Sequence, residues 1–288
     1  MDNPLIDLKP LSQPITKLIE VLARGAGTLY APIGTVRQAN ADAKARVILA
    51  KADEEVQSLK ARALSRVEYR EAVRQENIEA IAEGAAKELP ETVSPDEVQP
   101  DWIFQFLNNA QDICDSDMQS LWARILAGEV SNPGTYSKRT LEFLKTLEKW
   151  EAEKFTELCS CVFTQDGRYF KLLDVNCVRQ DILELLGPRA YIDHFIAIGL
   201  LVSQASLPSP SSLTGTKLSY FGTDYVLEGP PKRPDGHLPD LDFVAFRDFS
   251  LVGNQLAAIS GAKPLDGFVE RVSRQLKEEH KVTWNKIE

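Results

Sequence analysis

The chain has 288 residues, of which 43% are apolar and 26% are charged, and its formal net charge is −9. A chain of this length and apolar content can form one large or two modest domains with a buried core. The acidic excess lies after Pro90, which argues against non-specific nucleic-acid binding by the C-terminal part. The four cysteines, without a secretory signal, indicate reduced thiols in a cytoplasmic protein, and three histidines are too few to favour a metal site. We therefore expect no metal and no cofactor, and no apolar run is long enough to span a bilayer.

Residues 1–34 contain a short amphipathic helix followed by a Gly-rich apolar stretch. Pro14 suits the first turn of this helix. One interpretation is insertion at a membrane surface, with peripheral attachment of the protein, and the other is docking on the long helix or on a neighbouring subunit. The predicted membrane or partner docking residues are Ile15, Leu18, Ile19, Leu22 and Tyr30.

The stretch from Thr35 to Glu83 has no Gly and no Pro and is rich in strong helix formers, so it predicts an uninterrupted Ala-rich helix. We assign residues 35–84 to a helical stalk roughly 70 Å long. Apolar side chains recur along it with an eleven-residue repeat, which is typical of nearly straight packed helices. This stripe predicts self-association; the alternative is a solvated helix that lies on its own C-terminal domain. The predicted oligomerisation residues are Ala41, Ala45, Ile48, Ala52, Val56, Leu59, Ala63 and Val67.

Residues 85–100 hold three prolines and several acids, and we predict a linker and a domain boundary there. Residues 101–173 then form a predicted helical domain. In it, Ser116 to Gln119 suggest a capping box, Gly128 is placed to end a helix, and Ser137 can cap the next one.

Residues 174–288 predict a small winged-helix-like α+β module, so the whole chain is expected to be mainly α. Two short helices are followed by two strands around a Gly222-Thr223 turn. The two strands, which would form the wing of such a module, contain Lys217 and few other basic residues. This composition favours packing or protein recognition over DNA binding.

No familiar catalytic motif is present, and we predict a protein that is not an enzyme. Four acids leave a metal-dependent nuclease open as an alternative, although their Pro-Asp and Asp-Gly contexts are more typical of turns. These acids are Asp235, Asp240, Asp242 and Asp248.

Between Trp122 and Leu141 the sequence follows the pattern W-A-x-I-L-A-G-E…P-G-x-x-S-x-R-T-L. This pattern resembles an uncharacterised bacterial family, catalogued as a domain of unknown function. The N-terminal layout is more loosely similar to abortive-infection proteins of the Abi-alpha type, which implies bacteriophage defence. The predicted family-motif or interaction residues are Trp122, Glu129, Ser137, Arg139 and Thr140. Trp122 is expected to pack in the core, and the four polar residues either cap helices and form a salt bridge or face a partner.

The sequence thus predicts a non-enzymatic oligomeric scaffold or effector, plausibly in bacterial anti-phage defence. It would act through its N-terminal helices on a membrane or on a protein partner. One alternative is a nucleic-acid-binding regulator that uses the winged-helix-like module, and another is the metal-dependent nuclease.

Overall fold

The computed structural model describes residues 12–26, 55–187, 191–230 and 243–287. The chain divides into two compact units, Met1–Thr146 and Leu147–Glu288. Among the described residues the first unit is helical, and the second combines helices with one antiparallel sheet.

The first unit is built around a long helix that packs on a buried one. Helix α2 packs on α4, and α1 packs on α3 and α4. The core holds Trp102 stacked on Phe106, with ring centroids 5.2 Å apart, and Phe106 edge-on to Trp122 at 5.3 Å. The helices are α1 (Gln13–Ala26), α2 (Glu55–Glu88), α3 (Pro100–Ala110), α4 (Ser116–Ser131) and α5 (Lys138–Thr146).

The segment that we predicted to be a linker, residues 85–100, lies within the first unit. The Ser94 backbone N–H donates to the Ser131 carbonyl at 2.8 Å, and Val98 is 1% exposed. The division between the units falls instead after Thr146. Prolines and acids at the surface of a folded unit therefore produced the same sequence signal as a linker.

The second unit contains a seven-stranded sheet in the order β3-β6-β2-β1-β4-β5-β7, with every neighbouring pair antiparallel. An aromatic cluster in its core joins Phe163 to Tyr220, Phe268 and Trp284, with centroids 4.9–5.6 Å apart. The strands are β1 (Val162–Gln165), β2 (Tyr169–Leu173), β3 (Leu201–Ser206), β4 (Lys217–Tyr220), β5 (Thr223–Glu228), β6 (Phe246–Phe249) and β7 (Thr283–Lys286). The helices are α6 (Lys149–Cys159), α7 (Asn176–Leu186), α8 (Tyr191–Ala197), α9 (Leu251–Ala257) and α10 (Phe268–Gln275), with a 3-10 turn (Pro210–Leu213) and a π turn (Leu276–His280).

The prediction of a mainly α fold with a small winged-helix-like module is wrong. The predicted hairpin around Gly222 is present as β4 and β5, but it belongs to a sheet that also contains β1, β2 and β3. The β1–β2 hairpin turns at Asp166 and Gly167, which both have positive φ, 54° and 64°. Asp-Gly between apolar runs is a strong hairpin signal that our sequence analysis missed.

The predicted long Ala-rich helix over residues 35–84 is also corrected. Helix α2 is described from Glu55, and residues 35–54 lie outside the described part of the chain. At its other end the helix continues through Gly84 to Glu88. A Cβ at Gly84 would lie 2.9 Å from the Cβ of Ala123, so this glycine permits close packing of α2 on α4 and does not end the helix.

Candidate functional site

The family-like motif surrounds one buried carboxylate. Glu129, near the end of α4, is 2% exposed. Its Oε1 accepts the Gly134 backbone N–H at 2.7 Å, and its Oε2 accepts that of Tyr136 at 2.9 Å. Burial raises the pKa of Glu129, while the N–H groups of Tyr136, Gly134 and Thr135 lower it. The carboxylate thereby fixes the turn that follows α4.

Tyr136 closes this turn over α4. A Cβ at Gly128 would lie 2.6 Å from a ring carbon of Tyr136, so only glycine leaves room for the ring. The Trp102 indole N–H donates to the Tyr136 carbonyl at 2.8 Å. Burial raises the pKa of the Tyr136 hydroxyl to about 12, which keeps it neutral in the folded protein.

Most of the other motif residues lie in the core or cap the next helix. Trp122 and Thr140 are fully buried. The Ser137 hydroxyl accepts the Thr140 backbone N–H at 3.2 Å, which confirms Ser137 as the cap of α5. Arg139 is exposed. Four of the five predicted motif residues therefore stabilise the turn and core, and Arg139 faces solvent.

The N-terminal helix is docked on its own unit. Leu18 and Leu22 are 3% and 8% exposed, Ile15 and Ile19 are half-buried, and Tyr30 lies outside the described residues. The Lys17 ammonium donates to the Ser94 carbonyl at 2.7 Å. Burial lowers the pKa of Lys17, whereas the nearby Asp96 and Glu129 carboxylates raise it.

A groove of about 300 Å³ runs between α1 and residues 94–98. Along it, Arg24 pairs with Glu97 at 3.1 Å. The two basic side chains of this groove thus reach across it, Arg24 to a carboxylate and Lys17 to the Ser94 backbone carbonyl. We therefore assign the groove to the attachment of α1.

Helix α2 has two halves with different surroundings. In the packed half, which we define as residues 75–88, Asn77, Ile81 and Ala85 are buried. In the projecting half, which we define as residues 59–74, Leu59 and Val67 are 62% and 45% exposed. Ala63 is exposed as well.

The remaining predicted oligomerisation residues are not placed by the structure. Ala41, Ala45, Ile48 and Ala52 lie outside the described residues, as does the side chain of Val56. The predicted surface is therefore described only through the projecting half of α2.

Several described side chains of types common in active sites are paired or kept protonated. Asp248 pairs with Lys171 at 2.6 Å, and the His194 imidazole contacts the Glu151 carboxylate at 2.6 Å. Burial raises the pKa values of Cys159 and Cys161 to about 12, so these thiols stay protonated. Within the described ranges, no group of three His, Cys, Asp or Glu side chains could hold a metal ion. The other acids of the nuclease alternative lie outside those ranges: Asp235, Asp240 and Asp242.

Residues 61–187 match a family model described as "Protein of unknown function (DUF2806)". The matched segment covers residues 61–74 of the projecting half, the packed half of α2, the motif turn, and strands β1 and β2. This supports the predicted relation to an uncharacterised family, while the likeness to abortive-infection proteins stays a prediction. No curated protein and no solved structure matches the chain significantly.

None of the helices described is both long enough and apolar enough to cross a membrane. The predicted attachment of the N-terminal segment to a membrane surface stays a prediction. In the structure, the apolar face of α1 is occupied by α3 and α4 of its own unit.

Proposed function

We propose that this protein is a non-enzymatic scaffold that assembles through the projecting half of α2. The observation that carries the proposal is an apolar stripe that is buried at one end of a helix and exposed at the other. The two compact units would be presented by this assembly to whatever the protein recognises.

The stripe residues of the two halves share one arc of the helix, with Arg70 and Arg74 between them. Leu59, Ala63 and Val67 follow one another at intervals of four residues, as do Asn77, Ile81 and Ala85. At about 100° per residue, both sets fall within the same arc of the helix surface. The face that packs on α4 in one half is therefore the same face that is exposed in the other.

Covering the exposed part of this stripe is energetically favourable. Full burial of a Leu or Val side chain stabilises a protein by roughly 1.5–3 kcal/mol. Leu59 and Val67 together can contribute several kcal/mol to an association, and the exposed Ala63 between them lets a partner backbone approach closely. Exposed apolar surfaces of this kind are typical of interaction sites.

Several contacts hold the part of the first unit from which the projecting half extends. Arg74, at the boundary of the two halves, makes a two-pronged contact with Asp112, at 2.6 and 3.1 Å. Gly84 brings α2 against α4, and Glu129 fixes the turn after α4. The motif thus supports the helix that would carry the assembly surface.

The experiment compares two leucines of the same helix by light scattering on the full chain. Leu59 and Leu64 are 62% and 63% exposed, but Leu64 lies about 140° away around the helix. We expect Leu59→Gln combined with Val67→Gln to lower the mass to that of a monomer and Leu64→Gln to leave it unchanged. A wild-type chain that is monomeric at every concentration, or equal effects of both changes, would contradict the proposal.

The setting of this scaffold in anti-phage defence remains part of the proposal and is supported by the resemblance alone. The nucleic-acid-binding alternative depended on a winged-helix-like module, and the described strands of that region belong instead to a seven-stranded sheet. Infection assays with the Leu59 and Val67 variant would test whether any protective effect requires assembly.

A further inference from the structure

The two halves of α2 differ in charge as well as in burial. Residues 59–74 contain five Lys or Arg and two Asp or Glu, whereas residues 75–146 contain five Lys or Arg and thirteen Asp or Glu. The projecting half is therefore basic and extends from a strongly acidic helical unit. Opposite potentials of this kind steer association and select partners.

The basic side chains of the projecting half form a row. Arg62, Arg66 and Arg70 are spaced four residues apart and lie along one side of the helix; Arg62 and Arg66 flank the apolar stripe, and Arg70 falls within its arc after Val67. The row spans eight residues, or about 12 Å. Both Arg66 and Arg70 are exposed, and the Arg70 contact with Glu71 at 3.3 Å is a surface pair of little energetic weight.

The packed half carries a complementary row on the side that faces away from α4. Glu76, Glu79 and Glu83 are spaced by three and four residues and extend over about 10 Å. Glu76 and Glu83 are exposed, and Glu79 is half-buried. The two rows match in length and in number of charges, and they are opposite in sign.

The same chain cannot use its own acidic row, because both rows belong to one continuous helix. Residues 27–54, the segment that precedes α2, carry four Lys or Arg against three Asp or Glu and offer no acidic complement. A second copy of the chain supplies an acidic row of about the same length as the basic row.

We propose that the partner of the projecting half is the acidic side of α2 in a second copy, with the Arg62–Arg70 row facing the Glu76–Glu83 row. This inference rests on the proposed self-assembly and adds the surface that the exposed stripe contacts. The charge rows fix which surface of the second copy is chosen.

The test is charge reversal and rescue, measured by sedimentation of the full chain. Arg66→Glu places like charges against the acidic row, and we expect the self-association dissociation constant to rise at least about tenfold. Arg66→Glu combined with Glu79→Arg restores opposite charges, and we expect the constant to return to within about threefold of the wild-type value. As a control, Lys138→Glu changes a basic residue of α5 that pairs with Asp101 at 3.5 Å, and it should have no effect.

The outcomes separate this inference from the proposed function. If the Leu59 and Val67 variant dissociates but Arg66→Glu does not, assembly stands and the charge pairing is overturned. If Arg66→Glu weakens assembly and Glu79→Arg fails to rescue it, the acidic row is not the partner surface and the inference is again overturned. If the wild-type chain never assembles, both fall together.

Discussion

The packed and projecting halves of α2 share one sequence pattern and have opposite surroundings. In the packed half, Ile81 is 1% exposed and contributes to the core with α4. In the projecting half, Leu59 occupies the same stripe and is 62% exposed. The difference teaches that helical periodicity identifies which face of a helix needs a partner, but not whether that partner comes from the same chain.

The largest expected contrast is between truncations in the two halves. Ile81→Ala removes a buried side chain and leaves a cavity, so we expect it to lower the free energy of unfolding by about 2–5 kcal/mol. Leu59→Ala, measured in dilute solution where the chain is monomeric, should cost less than about 0.5 kcal/mol. Urea denaturation of both variants makes the comparison, and similar costs would show that the projecting half is covered within the monomer.

A smaller effect is expected at Asn77, where the packed half begins. Its side-chain N–H donates to the Gln111 carbonyl at 2.9 Å, and its oxygen accepts from Gln119 at 3.1 Å. Asn77→Ala removes these bonds from half-buried partners, so we expect a loss of about 1–3 kcal/mol in the free energy of unfolding. Asn77→Asp serves as the comparison, because it keeps the acceptor for Gln119 and loses the bonds that the amide donates to the Gln111 carbonyl and to the Cys114 Sγ.

The smallest contrast uses two alanines in the stripe. Ala63→Gly in the projecting half should cost at most about 1 kcal/mol, which is the difference in helix propensity. Ala85 is fully buried, so Ala85→Gly should add to this the loss of a buried methyl group, about 0.8 kcal/mol more. Equal thermal shifts for the two variants would argue against the distinction between the halves.

Local signals predicted several elements of the fold. The amphipathic pattern located α1, the Gly222-Thr223 turn located β4 and β5, and Ser137 marked the start of α5. The cap of α4 is Asp115, whose side chain accepts from Asp117 and Met118, and not the predicted Ser116. Such shifts of one residue are common at helix ends.

Strand β3 was missed for a physical reason. The run from Ile198 to Val202 is short and apolar, and a run of that kind fits a buried strand as well as the end of a helix. In the structure, β3 begins at Leu201 and pairs with β6, which is distant in sequence. Pairing between distant strands is decided by tertiary contacts that a local pattern does not contain.

The motif was located from sequence, but its role was not. Glu129 was expected to cap a helix, to form a salt bridge or to face a partner, and it instead accepts N–H groups from the turn that follows α4. Backbone donors have no signature in the side-chain sequence. Gly128 was expected to end a helix, and its function is to leave room for Tyr136.

The most direct test of the central claim is hydrogen exchange of residues 59–74 measured as a function of protein concentration. Because the stripe is proposed to be covered by a second copy, exchange in this segment should slow as concentration rises. Exchange in α3, which lies in the core of the unit, should stay constant. Exchange in residues 59–74 that is independent of concentration, whether fast or slow, would contradict assembly through the projecting half of α2.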